Sequence, residues 1–397
     1  MNRTDIYMLP VENDIYTPIV GRYMRIFDTT WGDEKKGYIV RYRGELTSQD
    51  SSKAYDQLAQ DVRSHGITPL FRIEENRHVI VLINGIIQPK PTKIWGNILF
   101  FILTVISVMF AGAISYTGQL PLQLSDWFSF LISGLPFAIA LMTILVCHEF
   151  GHYLAGRFHK TTVTLPFFIP FPVSLFGTMG AFIQLKEPPK NRRILLDIGI
   201  AGPLAGIIVA IPILLLGLYL SPVEKIPFQI PLGQIFEGNS ILYLGLKYIV
   251  KGQLLPEPFN YSAMNPFIYW IRYFFTGTPL PGGGLDVTLH PIAWAGWAGL
   301  LVTALNLIPA GQLDGGHIMY VLLGKHTSKL LPVILVALIL LGTVWEGWWF
   351  WALLIFFLGR YHAEPLDQIT PLDSKRKILA IVGVIVFFLV FMPVPLS

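Results

Sequence analysis

The chain has 397 residues, of which 53% are hydrophobic and only 14% are charged, and its mean hydropathy is +0.56. Soluble domains carry nearer a quarter charged residues, so this composition excludes an ordinary soluble enzyme and predicts a multi-pass membrane protein. The net charge of +4 is small and fits basic loops better than a nucleic-acid surface, and the single cysteine excludes an internal disulfide framework.

Residues 1–92 are mixed in character and predict a small soluble α+β domain. The predicted helix covers 51–65, with Asp50 or Ser51 as its cap and Gly66 as its stop. The predicted strands are 22–27, 38–46, 69–74 and 78–83, the last two joined by a turn at Asn76. This order is typical of half of a ferredoxin-like fold. No chemistry is evident here, and a docking or regulatory role is a hypothesis.

Residues 93–397 form the predicted membrane domain, with its core at 94–325. A membrane span needs about 20 apolar residues. The candidate spans are 94–116, 130–156, 194–220, 291–309, 328–343, 348–358 and 378–391. The fifth and sixth are short and lie on either side of Glu346 and Gly347, so they form either a tight hairpin or a partly re-entrant pair. The prediction is therefore six or seven spans.

Short-loop charge predicts the orientation of these spans. Seven spans place every short basic loop on one face, which is then cytosolic together with residues 1–92. The basic residues concerned are Lys90, Lys93, Arg157, Lys160, Lys186, Lys190, Arg192, Arg193, Lys325, Lys329, Arg360, Lys375, Arg376 and Lys377. Residues 221–290 become a long external connection. Its apolar patches at 241–250 and 267–275 are either short helices on the membrane surface or parts of an ordinary loop.

The second candidate span contains H-E-F-G-H at 148–152. H-E-x-x-H on a helix is a zinc-hydrolase signature, because imidazoles four residues apart share one helix face and can bind one ion. Glu149 lies beside them and can take a proton from a zinc-activated water. Ionisable residues are costly inside a bilayer, so three together indicate a zinc enzyme that works within the membrane.

A catalytic zinc usually has three protein ligands and one open position. Asp314 is the best candidate for the third ligand, because it follows a span at the same end as the histidine pair, after a helix break. The alternative is that Asp314 only caps a helix at 315–323. Asp197 is a rival ligand, although its basic neighbours Arg192 and Arg193 favour an interfacial ion pair. His317 is either a group that supports the ligands or an interfacial histidine.

These motifs together resemble the site-2 protease family of intramembrane zinc metalloproteases. The resemblance rests on H-E-F-G-H at 148–152, N-L-I-P-A-G-Q-L-D-G-G at 306–316 and G-I-A-G-P-L-A-G at 199–206. It implies that His148, His152 and Asp314 bind one zinc ion and that Glu149 is the general base. The glycines at 199–206 are expected to pack closely against the catalytic helix. No PDZ domain separates the motifs, which leaves substrate selection open.

The segment 165–185 is apolar but interrupted by prolines and glycines, which exclude a regular helix. It is either a re-entrant hairpin or a loop against the membrane surface. An extended edge at 178–184 could pair with an unwound substrate, so Gly177, Thr178 and Gly180 are predicted substrate-binding residues. Asn306 is predicted either to bind substrate backbone or to satisfy freed helix backbone.

The sequence thus predicts a zinc-dependent endopeptidase that cleaves transmembrane segments near the cytosolic face. Its expected partners are the lipid bilayer and membrane-protein or signal-peptide-remnant substrates, without nucleic acid, and its expected location is a prokaryotic cell membrane. The alternatives are a membrane zinc or ion transporter, which would commonly show an internal repeat, and a catalytically inactive relative that binds membrane proteins. The substrate and the oligomeric state are left open.

Overall fold

The computed structural model describes residues 14–32, 37–87, 94–231, 235–261, 263–359 and 364–397. The chain forms two compact units. The N-terminal unit consists of Met1–Lys90, Glu187–Arg193 and Glu364–Leu372, and the apolar unit contains the rest. The two later segments of the N-terminal unit fall within residues 93–397, which the sequence predicts to be the membrane domain. Lys90, Lys93 and Arg360 of the predicted basic loops lie outside the described residues.

The N-terminal unit is a four-stranded antiparallel sheet with one main helix. Its elements are α1 (Tyr16–Val20), β1 (Met24–Trp31), β2 (Val40–Leu46), α2 (Ser51–Arg63), β3 (Ile67–Glu74) and β4 (Arg77–Asn84). The strand order is β1-β2-β4-β3, so β4 lies between β2 and β3. The segment from β2 to β4 is therefore a split β-α-β unit, the predicted half of a ferredoxin-like fold, and β1 adds an edge strand.

Local signals explain these elements. Asp50 caps α2 by accepting a hydrogen bond from the Lys53 backbone N–H, and Gly66 has the positive φ of +72° that ends the helical segment. Glu75 and Asn76 both have positive φ, which is the backbone form that a two-residue antiparallel turn requires. The predicted cap and turn are confirmed, whereas α2 ends at Arg63, two residues before the predicted end at residue 65.

The two later segments of the N-terminal unit are held by backbone and buried polar contacts. The Asp367 N–H donates to the Lys190 carbonyl at 2.7 Å, which joins the two later segments to each other. Arg72 donates from β3 to the carbonyls of Pro365 and Leu366. Such contacts join residues distant in sequence, which explains why composition along the chain did not reveal them.

The apolar unit is mainly helical. Its elements are α3 (Ile94–Thr117), α4 (Trp127–Ser133), α5 (Leu135–Phe158), β5 (Phe167–Pro170), β6 (Thr178–Phe182), α6 (Arg192–Leu220), β7 (Val223–Lys225), α7 (Ile241–Lys251), α8 (Pro266–Thr276), β8 (Leu285–Val287), α9 (Pro291–Asn306), α10 (Asp314–Leu323), α11 (Leu330–Leu341), α12 (Gly347–Leu358) and α13 (Ser374–Val390). Short 3₁₀ turns occur at Leu124–Asp126 and Gly324–Lys329. Each predicted apolar segment contains one of these helices.

Within the described residues, three helices are long and apolar enough to cross a membrane, namely α3, α5 and α6. A fourth span arises only if α10 and the helical stretch His326–Leu341, which meet at a bend of 119°, are counted as one. Helices α9 and α13 are apolar but have only 16 and 17 residues, and α12 has 12. A helical membrane protein is supported, whereas six or seven spans are not confirmed by helix length.

The connection 221–290 contains two helices, α7 and α8, at the predicted apolar patches. Each buries tyrosine on one side, at Tyr243 and Tyr269, and exposes apolar side chains on the other, including Ile249 and Phe267. Strands β7 and β8 pair antiparallel and join the two ends of this connection.

The cap of α2 provides a test of the N-terminal unit. We expect Asp50→Ala to lower the free energy of unfolding of α2 by about 1 kcal/mol, because it removes the side-chain acceptor for the Lys53 N–H. Native-state hydrogen exchange of the α2 amides in the full chain measures the effect. Lys53→Ala keeps the cap and should change protection by less than about 0.5 kcal/mol. Equal loss in both variants would contradict the assigned cap.

Candidate active site

Helix α5 carries the two histidines and the glutamate of the H-E-F-G-H motif. The spacing of four residues places both imidazoles on one side of the helix, and their Nε2 atoms lie 3.2 Å apart. His148, Glu149 and His152 are all buried. A buried pair of imidazoles in such close contact requires a ligand or a counter-charge between or beside the rings.

Asp314 supplies that counter-charge from the first residue of α10. Its Oδ2 atom lies 3.3 Å from the Nε2 atoms of both His148 and His152. Leu313 precedes the helix as its cap residue, and the Asp314 carboxylate faces the imidazoles, so the reading of Asp314 as only a helix cap is not supported. Gly311 has φ of +54° in the break before α10, which turns the chain toward the site.

These three ligand atoms fit a zinc ion. Tetrahedral zinc with bonds of about 2.0–2.1 Å places its ligand atoms about 3.3 Å from one another, and the observed separations are 3.2, 3.3 and 3.3 Å. Among the described residues, His148, His152 and Asp314 are the one group of three such ligands with all donor atoms within 4.8 Å. Beside them, Glu149 Oε2 is buried without a hydrogen-bond partner, as expected of a group that handles a proton of a bound water.

Helix α6 fixes the orientation of one ligand. The Ile198 carbonyl lies 2.7 Å from His152 Nδ1, so Nδ1 carries the proton and donates it to this bond. The lone pair of His152 Nε2 is then free to bind the metal. Sequence reasoning could not find this contact, because a backbone carbonyl has no residue-type signal.

The glycines of α6 form the surface on which the imidazoles rest. A Cβ at Gly202 would lie 2.0 Å from His152 Nε2, and a Cβ at Gly206 would lie 3.1 Å from His148 Nδ1. Gly199 lies against the His317 side chain. The predicted close packing of the 199–206 motif on the catalytic helix is present, and Gly202 in particular allows no side chain.

Asp197, the rival ligand, serves a different purpose. Arg376 of α13 donates to it through Nε and Nη2 at 2.9 and 2.5 Å, and His159 Nε2 lies 2.8 Å from the same carboxylate. Asp197 is therefore an ion-pair residue that connects α6, α13 and the end of α5. The sequence analysis named Arg192 and Arg193 as its cations and missed Arg376.

A cavity of about 170 Å³ opens onto the metal ligands. Its remaining walls come from the end of β6 and the segment after it, from α6 and from the region of α9 and α10. The lining residues are Ala181, Phe182, Ile183, Leu185, Leu195, Ile198, Gly199, Asn306, Gln312, Leu313 and His317. The Asn306 Nδ2 atom lies 3.4 Å from His148 Nε2, so this amide faces the ligands. His317 lies beside the site.

The segment 165–185 is a β-hairpin in which β5 pairs antiparallel with β6. Helix α3 satisfies some of its backbone groups: Asn97 donates to the carbonyls of Leu165 and Pro166, and Ser107 donates to the carbonyl of Gly177. In the part of the chain that is described, no strand pairs with the other edge of β6.

The three predicted substrate-binding residues of the hairpin lie outside the cavity walls. Gly177 packs against α3, where a Cβ would lie 2.4 Å from the Ser107 carbonyl oxygen. Thr178 donates to the Ile169 carbonyl, and Gly180 donates its N–H to Thr178 Oγ1. These contacts shape the hairpin, while 181–183 is the part beside the metal ligands. A role of Gly177, Thr178 and Gly180 in substrate binding stays a prediction.

The chain belongs to peptidase family M50, whose family model matches residues 136–344. The resemblance to the site-2 protease family is thereby confirmed. The matched region contains α5, α6 and α9 to α11, and thus all three ligand residues. It excludes the N-terminal unit's sheet and α13 with Arg376.

Similar proteins from plants carry names of the same kind. The chain is 29% identical over 383 residues to probable zinc metalloprotease EGY2, chloroplastic, of Arabidopsis thaliana, covering 94% of this chain and 63% of that protein. It is 28% identical over 332 residues to probable zinc metalloprotease EGY1, chloroplastic, of the same plant, covering 77% of this chain and 55% of the relative. The chain thus spans less than two thirds of the length of these relatives.

A probable zinc metallopeptidase EGY3, chloroplastic, of Arabidopsis thaliana is 24% identical over 271 residues, covering 66% of this chain and 44% of that protein. No solved structure matches the chain. The names of the plant relatives place those proteins in the chloroplast, so the expected prokaryotic cell membrane has no support from them. A membrane protein is supported by the family and by the apolar helices.

The Gly202 contact predicts the effect of one added methyl group. We expect Gly202→Ala to lower zinc affinity by about 100-fold, because the new Cβ displaces the His152 ring. Competition with a chromogenic chelator measures the affinity of the purified full chain. Gly96→Ala is the matched control in α3, where a Cβ meets nothing within 4 Å, and it should leave zinc affinity unchanged. Normal zinc binding by Gly202→Ala would show that α6 does not hold the ligand as described.

Proposed function

We propose that the chain is an intramembrane zinc metalloprotease that cleaves transmembrane segments of other membrane proteins. The observation that carries this proposal is the convergence of His148, His152 and Asp314 next to the unpartnered Glu149 carboxylate oxygen. A purely structural metal site needs no such carboxylate beside its ligands, whereas peptide hydrolysis needs a group that moves a proton.

His148, His152 and Asp314 would hold one zinc ion, which supplies Lewis acidity and makes a water molecule nucleophilic near neutral pH. Glu149 takes the proton of the attacking water. It then returns a proton to the amine that leaves when the C–N bond breaks. One water molecule is consumed, and a carboxyl group and an amine are produced.

Substrate must reach the site as an extended chain, because a helical peptide bond is shielded and its carbonyl is already hydrogen-bonded. The unpaired edge of β6 is suited to add a substrate strand, with residues 181–183 beside the ligands. Asn306 is placed to donate its amide N–H to the scissile carbonyl oxygen or to the adjacent substrate backbone.

The membrane arrangement that fits this function has six or seven spans, with α9, α11, α12 and α13 added to α3, α5 and α6. His148 precedes Arg157 by nine residues, or about 14 Å along α5. The metal ligands would therefore lie within the bilayer, nearer the face of the basic loops. We infer a docking or regulatory role for residues 1–92, and membrane proteins or signal-peptide remnants as substrates. No contact in the described residues favours a transporter or an inactive relative.

Replacing the proton-handling group tests the proposal. We expect Glu149→Gln to reduce cleavage of a reconstituted membrane substrate at least about 100-fold while zinc content stays unchanged, because the amide keeps the shape but cannot take a proton. Fragment proteomics of membranes and zinc analysis of the purified chain provide the two measurements. Glu346→Gln, an exposed carboxylate before α12, is the matched control and should cleave normally.

Replacing one of the proposed metal ligands provides an independent test of the same proposal. Asp314→Asn should reduce both zinc content and cleavage, because an amide oxygen is a weaker ligand than a carboxylate and lacks its charge. Undiminished cleavage by Glu149→Gln would rule out the proposed protease mechanism. Metal flux across liposomes without any peptide cleavage by the wild-type chain would favour a transporter instead.

A further inference from the structure

A second and larger cavity lies at the opposite end of α9 from the metal ligands. Its volume is about 960 Å³, within the range of about 300–1,000 Å³ that ligand pockets occupy. One wall carries the carboxylates of Glu237 and Asp286, and the facing walls include Phe137 and Trp294. We call this cavity the distal cleft.

The two carboxylates of the distal cleft are buried and share one ammonium group. The fully buried Lys247 Nζ lies 3.7 Å from Glu237 Oε1 and 3.9 Å from Asp286 Oδ1, and 4.6 Å from the ring centroid of Tyr243. Tyr243 donates its hydroxyl to Glu237 Oε1. Lys247 does not line the cleft, so the carboxylates stand between it and the cavity.

This arrangement has more negative than positive charge, and its polar groups are not all satisfied. Lys247 Nζ is buried without a hydrogen bond. Burial and the neighbouring Asp286 raise the pKa of Glu237 against the opposing effect of Lys247, so one ammonium group does not fully offset the two buried carboxylates. A cationic ligand group that enters the cleft would therefore stabilise the ionised forms of both carboxylates.

Helices α9 and α5 both extend from the distal cleft to the metal site, so the residue spacing along them gives the distance. On α9, Asn306 follows Trp294 by twelve residues, about 18 Å at the rise of an α-helix. On α5, His148 follows Phe137 by eleven residues, or about 16 Å. Suppose that a substrate span lies along these helices with its scissile bond at the zinc. The substrate residues about a dozen positions away, at the other end of that span, would then reach the distal cleft.

We propose that the distal cleft binds a lysine or arginine side chain of the substrate polypeptide, carried about a dozen residues from the scissile bond toward the side of the 221–290 connection. This proposal rests on the proposed proteolytic function. Glu237 and Asp286 receive the cation, and the aromatic and apolar wall receives the aliphatic stem and neighbouring residues. The cleft thus selects substrates by a charge remote from the cut.

The cavity favours a polypeptide side chain over a bare metal ion. Lys247 already places one positive charge within 4 Å of the carboxylates of both Glu237 and Asp286. The volume greatly exceeds that of an ion, and both polar and apolar walls are present. A long cationic side chain attached to an apolar segment matches all of these features.

The test uses the full chain in lipid nanodiscs and a series of fluorescent leucine–alanine peptides long enough to span the bilayer. Each peptide carries one Lys at a different position, and matched peptides carry Ser or Glu there. Binding is measured on Glu149→Gln, which avoids cleavage, and the cut site is located with the wild-type chain by mass spectrometry. We expect one best Lys position, with affinity about tenfold above the Ser peptide and the Glu peptide weakest.

Two substitutions connect this preference to the distal cleft. Asp286→Asn and Glu237→Gln, each in the Glu149→Gln background, should reduce the preference for Lys over Ser to less than about threefold. Glu257→Gln, an exposed carboxylate of the same connection outside the cleft walls, is the matched control and should keep it. Zinc content shows whether each variant is folded. If a variant does not fold, binding of the peptide series to the chain with the unaltered cleft tests the proposal by itself.

Equal binding of the Lys, Ser and Glu peptides at every position would overturn the proposal, as would a preference that persists in both cleft variants. If the best Lys position is not about a dozen residues from the cut site, the proposed distance between the distal cleft and the metal site is wrong. Absence of cleavage by the wild-type chain, with the Lys preference intact, would instead count against the proteolytic function alone. The two failures are therefore distinguishable.

Discussion

The close approach of α6 to α5 is the constraint on which the metal site depends. Gly202 occupies a position where any side chain would collide with the His152 imidazole, and the carbonyl of Ile198 on the same helix accepts the Nδ1 proton of that ring. One helix therefore both supports the ring and orients its lone pair. If α6 moved outward by the width of a methyl group, the ring would lose both contacts. The ion pair between Asp197 and Arg376 stabilises α6 one residue before that carbonyl.

The chemistry-bearing residues could be predicted from the sequence because their spacing is local or their type is rare in a bilayer. His148, Glu149 and His152 share one helix, so helical geometry alone brings them together. Asp314 required a further argument, since its proximity to the imidazoles depends on the break before α10 and on packing between distant helices. The small α+β unit could also be predicted, because α2 has a side-chain cap at Asp50 and a two-residue turn joins β3 to β4.

Other features depend on contacts that have no sequence pattern. Arg376 lies in a basic segment that predicts the orientation of the membrane spans, yet it forms an ion pair with Asp197 on α6. The segments 187–193 and 364–372 join the N-terminal unit through backbone hydrogen bonds, such as that from the Phe71 N–H to the Leu366 carbonyl. The span count is equally hard to derive, because α9 and α13 are apolar but fall just short of the length of α3 or α5. In each case tertiary packing, and not local propensity, sets the outcome.

The central claim is that two imidazoles and one carboxylate bind a single zinc ion with an open fourth position. X-ray absorption at the zinc edge of the purified full chain tests it most directly. The account predicts one zinc per chain with nitrogen and oxygen neighbours at about 2.0–2.2 Å, two of them imidazoles, and no sulfur neighbour. A spectrum with sulfur ligands, or one that is unchanged when His152 and Asp314 are both replaced, would contradict the account.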